Sequence, residues 1–196
     1  FTPYARKIVS SGADAVITGN WGADMLGLGK ALVANGFSGP VYTYYAAGSG
    51  ITAAFGEAGK GVIRLVAEGQ LNPPPNDQVV EYYKAYKAKY PDGNIDQPRI
   101  YNTIGFLSAA IEKAGTADDV VSIGKAMEGM EWDSIFGTKL MMRAEDHQVI
   151  QNMHVLVHTN EGVTFDYDNS GFGTVTESTI DMAGMDSPTT CKMDRP

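Results

Sequence analysis

The stretch Ala15–Tyr45 constrains this chain more than any other. Ala15-Val16-Ile17-Thr18 is a continuous apolar run of strand length, the pattern of a strand buried on both faces. Gly19-Asn20-Trp21-Gly22 reads as a turn. From Ala23 to Asn35, Met25, Leu28, Leu32 and Val33 recur near a 3.6-residue period, and Gly36 stops the helix. Val41-Tyr42-Thr43-Tyr44-Tyr45 is the next strand. A strand–helix–strand unit of this length is right-handed and parallel, so the loops after both strands open on one edge of the sheet. Open α/β sheets bind their ligands there, beyond the carboxyl ends of the strands. That edge carries Asn20, Trp21, Tyr44 and Tyr45. Flat side chains with a polar rim enclose small molecules at low entropic cost.

The remainder reads as further βα layers followed by a β-rich return. Ile51 to Gly59 is a short helix, Gly61 to Val66 a strand, and Asn72-Pro73-Pro74-Pro75-Asn76 a connector. Gln78 to Tyr90 is an amphipathic helix ended by Pro91-Asp92-Gly93. Tyr101 to Ala114 is a strongly apolar helix whose core face is expected to hold Ile104, Leu107, Ala110 and Ile111. Ala117 to Met130 is another, with Asp118 and Asp119 suited to its N-terminus. Met153 to His158 alternates as a strand, and Gly162 to Cys191 is turn-rich. At the front, Thr2 reads as a helix N-cap with Pro3 at the first helical position, a start that points to sequence upstream.

Charge and composition exclude several classes. The formal net charge of −8 argues against nucleic acid or an anionic membrane surface as the main partner. No apolar run approaches the ~20 residues of a membrane helix, and no signal-peptide pattern opens the sequence. The single cysteine, Cys191, cannot pair within the chain. It is either a free thiol or the partner of a cysteine elsewhere, which would require an oxidising compartment.

Catalytic and metal patterns fail on their own terms. Gly27-Leu28-Gly29-Lys30 has the end of a phosphate-binding loop, but Asp24 and Ala31 stand where that loop needs Gly and Ser/Thr, and the stretch lies within a helix. Asp146-His147 is an acid–base neighbour pair without a nucleophile elbow, and neighbours on an extended chain face opposite ways. His154 and His158 share a strand face but sit ~13 Å apart, too far to share one ion. Asp166, Asp168, Ser170, Gly171 and Glu177 have calcium-loop spacing. Their strand-like flanks and the Gly173 at an apolar position favour an ordinary turn. Neither a metal nor a cofactor is expected, and the chain does not read as an enzyme. A small α/β enzyme acting on an aromatic substrate is the reading from another class, and it lacks any catalytic pairing.

Several stretches in order resemble the solute-binding proteins of ABC transporters that take up branched-chain and other hydrophobic amino acids. They are AVITGNWGADMLGLGKAL (15–32), GSGITAAFGEAGKG (48–61), YNTIGFLSAAIEKAG (101–115), MRAEDHQ (142–148) and Thr190-Cys191-Lys192-Met193. The resemblance implies an α/β fold of the leucine/isoleucine/valine-binding type: two Rossmann-like lobes joined by three crossovers, closing on a ligand. It implies that residues 1–70 and 158–196 belong to the second, C-terminal lobe and 73–155 to the first. The rest of the first lobe and a signal peptide for the periplasm would precede residue 1. A membrane permease would be the protein partner. A ligand-sensing receptor domain of the same fold is the alternative, against which the short Cys191–Pro196 ending is set.

The resemblance also locates a departure. Family members that bind leucine, isoleucine or valine carry an aromatic residue at the place of Trp21. After the next strand they carry a glutamate that pairs with the ligand ammonium, where this chain has Tyr45. Either another carboxylate meets the ammonium, or the ligand is an aromatic or oxo acid without an amino group. Tyr101 and Asn102 are expected on the opposite wall.

Overall fold

The computed structural model describes residues 1–47, 50–92, 98–166 and 168–194. Gly48 and Gly93, used above in a resemblance stretch and a turn, lie outside the described residues, as does Tyr167. Two compact units emerge, Phe1–Asp96 with His154–Thr179, and Gln97–Met153 with Ile180–Pro196.

The first unit is a mixed sheet covered by helices. Helix α1 (Thr2–Ser10) leads into β1 (Val16–Ile17), α2 (Gly22–Ala34), β2 (Val41–Thr43), α3 (Ile51–Gly59) and β3 (Ile63–Ala67). After α4 (Asp77–Lys89), the chain returns to this unit in β7 (Met153–Thr159) and β8 (Gly173–Ile180). The strand order is β1-β2-β3-β7-β8. β1, β2 and β3 are parallel, with Val16 opposite Val41 and Val41 opposite Ile63, and β7 runs antiparallel to β3. The βαβ reading of Ala15–Tyr45 therefore stands. Ala5, Met25, Leu28, Leu32 and Phe55 from the three helices close over Val41 and Ile63. Gly29 allows this: a Cβ there would lie 2.5 Å from the Phe55 ring. The Gly-Leu-Gly-Lys stretch is thus a helix-packing notch inside α2, not an anion loop.

Two local expectations fail. Thr2 lies inside α1, and Phe1 takes the cap position without a side-chain cap bond. Strand β1 is not buried on both faces: Ile17 is 87% exposed, because the helices of this βα series all pack on the Val16 side.

Long-range hydrogen bonds hold the return. Asn72 is fully buried, and its amide meets four backbone groups. Its Oδ1 accepts from Thr164 N and Phe165 N, both at 2.8 Å. Its Nδ2 donates to Phe165 O and Thr174 O at 2.9 and 3.0 Å. The connector thus begins on a structural anchor. The calcium-like spacing resolves into separate duties. Asp168 accepts from Gly50 N and Ala53 N at the start of α3. Asp166 caps its own turn through Asp168 N and Gly171 N. Glu177 pairs with Arg64 at 2.9 Å. Among the described residues no three His, Cys, Asp or Glu side chains could share a metal.

The second unit holds α5 (Pro98–Ala114), α6 (Val120–Met127), the antiparallel sheet β4 (Glu131–Asp133), β5 (Lys139–Met142) and β6 (Val149–Gln151), and α7 (Met182–Met185). Phe106 and Ala110 of α5 pack with Ile123, Met130 and Leu140. The expected core face of α5 is rotated: Ile104 and Leu107 point to solvent, while Asn102, Phe106 and Ala110 face inward. Helix α6 is shorter than expected, because Asp119 caps it by accepting from Val121 N and Ser122 N. Arg143 grips Asp146 through two hydrogen bonds of 2.9 and 2.6 Å and holds Asp186 and Ser187 O. His147 pairs instead with Glu128 at 2.9 Å, so Asp146 and His147 serve different partners. The Arg143 guanidinium holds the Asp146 carboxyl well below the usual carboxylate range.

Candidate functional site

The carboxyl ends of β1 and β2 build a small polar frame that carries the aromatic residues. Thr18 N donates to Tyr42 O, which keeps the two strand ends in step. Thr18 Oγ1 donates to Asn20 Oδ1 at 2.5 Å, and Asn20 N donates back to Thr18 Oγ1 at 3.1 Å. This closed local turn fixes Asn20. Thr43 Oγ1, at the matching place after β2, accepts from Tyr45 N at 3.2 Å. Two threonines therefore fold the chain back at equivalent points of adjacent strands, as side-chain oxygens do at turns.

The aromatic residues leave this frame outward. Trp21 occupies the N-cap position of α2 in extended conformation, and its carbonyl accepts from Asp24 N and Met25 N. Its indole is 72% exposed. Tyr44 and Tyr45 are 55% and 48% exposed, with ring centroids 6.4 Å apart in an edge-to-face arrangement. A groove of about 340 Å³ runs beside them, lined by Ile17, Thr18, Tyr42, Thr43, Tyr44 and Val66. Thr18, Asn20, Trp21, Thr43, Tyr44 and Tyr45 include no ionisable acid or base other than phenols. Such a wall can stack on a flat or branched apolar group and offer hydroxyl and amide hydrogen bonds. It supplies no nucleophile and no charge.

The two residues expected from the second unit differ in setting. Tyr101 is 41% exposed on α5. Asn102 is buried, where its Oδ1 accepts from Ile135 N at 2.9 Å and its Nδ2 has no hydrogen-bond partner among the described residues. Sequence reasoning passed over Glu68, the first residue beyond β3, half-buried at the same carboxyl edge as Trp21 and Tyr45. Its signal was present: it is the carboxylate that follows the third parallel strand.

A larger recess of about 570 Å³ in the second unit is lined by Arg143, Asp186, Pro188 and Thr189, among others. Its guanidinium is already engaged by two carboxylates, so it reads as a clamp on the C-terminal segment. His154 and His158 are likewise engaged. His158 Nε2 donates to Gly56 O at 2.8 Å, and its ring stacks on Phe172. His154 Nδ1 shares a 2.8 Å hydrogen bond with Thr179 Oγ1.

Comparison with solved structures returns one fold. A leucine-, isoleucine-, valine-, threonine- and alanine-binding protein from Brucella ovis in its closed conformation is similar at a TM-score of 0.86 and 22% identity, covering 100% of this chain and 51% of its own. A solute-binding protein of an ABC transporter from Rhodopseudomonas palustris BisB5, in complex with 3,4-dihydroxybenzoic acid, is similar at 0.67 and 18%, covering 93% and 49%. A leucine-binding protein from Thermotoga maritima MSB8 is similar at 0.67 and 17%, covering 92% and 48%. The chain thus has the fold of the leucine/isoleucine/valine-binding type and spans about half the length of these structures. No curated protein sequence matches it significantly. The family model described as periplasmic binding protein matches residues 1–162, and the chain belongs to that family.

Proposed function

We propose that this chain is about half of an extracytoplasmic solute-binding protein that captures a small hydrophobic amino acid or related carboxylate by lobe closure and delivers it to an ABC importer permease. The protein is not an enzyme and works in the periplasm, where a signal peptide upstream would direct it. Its second lobe takes the unit of Phe1–Asp96 with His154–Thr179 and its first lobe the unit of Gln97–Met153 with Ile180–Pro196, which shifts the expected bounds of 1–70 with 158–196 and 73–155. The observation that carries this reading is the uncharged aromatic wall at the carboxyl ends of β1 and β2. Trp21 and Tyr45 stack against the solute, Asn20 and Tyr44 give it polar contacts, and exposed Tyr101 is the contribution from 73–155, while buried Asn102 supports that helix by accepting from Ile135 N. For an ammonium-bearing solute, Glu68 provides the carboxylate that Tyr45 does not.

A second reading keeps the same capture mechanism with a different ligand class, an aromatic or oxo acid without an amino group. Tyr45 favours it, since a phenol adds stacking surface and no negative charge. The dihydroxybenzoate complex of the Rhodopseudomonas palustris protein supports it by analogy. A ligand-sensing receptor domain would use the same wall.

The test is a thermal-shift panel of amino acids, oxo acids and aromatic acids on the complete gene product. A solute at 100 times its Kd stabilises the folded state by about 2.7 kcal/mol. A shift confined to amino acids, lost in Glu68→Gln, supports the first reading. A shift confined to aromatic or oxo acids, unaffected by Glu68→Gln, supports the second. No shift with any member of the panel overturns both.

A further inference from the structure

Two threonine hydroxyls set the hydrogen-bond polarity of the wall at the carboxyl ends of β1 and β2. A threonine hydroxyl has one proton to give and lone pairs to receive with. Thr18 Oγ1 accepts from Asn20 N at 3.1 Å and stands 2.5 Å from Asn20 Oδ1. That shorter separation fits O–H···O and lies below the range of N–H···O bonds. The Thr18 proton therefore points at the amide oxygen of Asn20, and the amide nitrogen turns away from it. Asn20 is half-buried, and its Nδ2 makes no hydrogen bond among the described residues.

Thr43 is spent in the same way. It is 2% exposed, its Oγ1 accepts from Tyr45 N at 3.2 Å, and it donates to Asn20 O in a long bond of 3.5 Å. A buried hydroxyl thus joins the Asn20–Trp21 half of the wall to the Tyr44–Tyr45 half. Neither threonine keeps a proton for a solute.

What remains to meet a solute is a set of donors. Asn20 Nδ2 carries two N–H groups and Trp21 Nε1 carries one, and neither nitrogen accepts. Only the phenols of Tyr44 and Tyr45 work both ways. A carboxylate or carbonyl oxygen accepts from such groups, and a charged acceptor strengthens each bond. An ammonium has three donors and no acceptor, so beside Asn20 and Trp21 it loses water without gaining a partner. Glu68 follows β3, two strands from β1 in the sheet and so about 10 Å across it.

We propose that Thr18 locks the Asn20 amide as a donor, and that this edge takes a carboxylate or 2-oxo oxygen of the solute and rejects an ammonium. The donor edge presupposes the solute-capture reading proposed above and narrows it to the ligand class without an amino group. Asn20 touches the solute, and Thr18 is a positioning residue that acts through Asn20.

The test titrates the complete gene product with three matched pairs: phenylpyruvate and phenylalanine, 4-methyl-2-oxopentanoate and leucine, benzoate and benzylamine. Affinity is read by calorimetry, and the unliganded Tm of each variant checks folding. In any pair that binds, the member without an amino group is expected to bind at least about tenfold more tightly. Asn20→Asp keeps an oxygen for Thr18 and puts a carboxylate oxygen where the N–H pair stood. It is expected to weaken the preferred acid by at least about 30-fold and its amino-bearing partner less. Thr18→Val removes the lock and is expected to bring the preference below about threefold, while Thr18→Ser, which keeps the hydroxyl, restores it. If Thr18→Val does not fold, Asn20→Asp decides. An amino-bearing member that binds as tightly as its partner overturns the proposal. An Asn20→Asp variant that holds the acid within about threefold of the parent overturns it too. A preference unchanged in Thr18→Val removes the lock and the proposal with it. Silence of all six probes also overturns it, and overturns the capture reading only where the wider panel of amino, oxo and aromatic acids is silent as well.

Discussion

Two sets of aromatic side chains in the first unit stand in opposite relations to water. Phe55, Tyr83 and His158 are buried and interlocked: Tyr83 lies 4.4 Å from the Phe165 ring, and His158 stacks on Phe172 at 5.4 Å. The Tyr83 hydroxyl donates to Asp166 O at 2.7 Å, and burial, with Asp166 nearby, pushes its pKa up to about 12. Trp21, Tyr44 and Tyr45 stand exposed at one edge. Burying a large apolar side chain stabilises a protein by roughly 1.5–3 kcal/mol. Trp21, Tyr44 and Tyr45 forgo that gain, which is what the proposed binding wall requires of them. The first population holds the fold, and the second is held by it.

If this division is real, substitutions in the two populations separate stability from binding. The largest effect on stability is expected at Phe55, which fills the notch at Gly29 and touches His158. Phe55→Ala should cost about 3–5 kcal/mol in urea unfolding. A cost under 1 kcal/mol would mean that the α2–α3 seam is not core. Asn72→Ala removes the partner of four backbone groups, one buried and three part-buried, and should cost about 2 kcal/mol or more, read in the same way. Gly29→Ala places a methyl against the Phe55 ring and should cost about 1–3 kcal/mol. Combining it with Phe55→Leu should cost less than the sum of the two changes. Strict additivity would contradict the contact.

Acid sharpens the contrast from another direction. Burial lowers the pKa of His154 and His158, opposed at His158 by the Gly56 carbonyl and the charge of Glu57. Their neutral forms fold better than their charged forms, so the unfolded chain binds more protons below pH ~6.5. Stability is therefore full above about pH 6.5 and falls as the pH drops toward the lowered folded values. The slope is at most about 1.4 kcal/mol per pH unit for each histidine. His158→Gln should flatten this slope between pH 6.5 and 5. An unchanged slope would show that His158 is not the titrating group. The smallest stability effect is expected at the edge, where Trp21→Ala should change unfolding free energy by less than about 0.5 kcal/mol.

The legibility of the chain followed the range of its interactions. The βαβ unit was readable because periodicity and Gly36 act within a few residues, and its topology alone put Asn20, Trp21, Tyr44 and Tyr45 on one edge. Strand β4 was missed because three residues carry too little alternation to see. The α5 face was misjudged because apolar residues ring much of that helix, and Trp132 packing against Gly105 decides which side faces inward. The calcium-like spacing misled in the opposite way. Asp168, Asp166 and Glu177 match a local pattern, yet their partners Gly50, Ala53 and Arg64 lie more than a hundred residues away in sequence for Asp168 and Glu177. The exposure of Ile17 was invisible for the same reason, since the strand run alone cannot say which faces find a cover.

The most direct measurement is a calorimetric titration of the complete gene product and its Trp21→Ala variant with the solute giving the largest thermal shift. The account predicts an affinity loss of at least about 30-fold, the scale of a buried tryptophan at a binding centre, with the unliganded Tm unchanged. An affinity within threefold of the parent would contradict it.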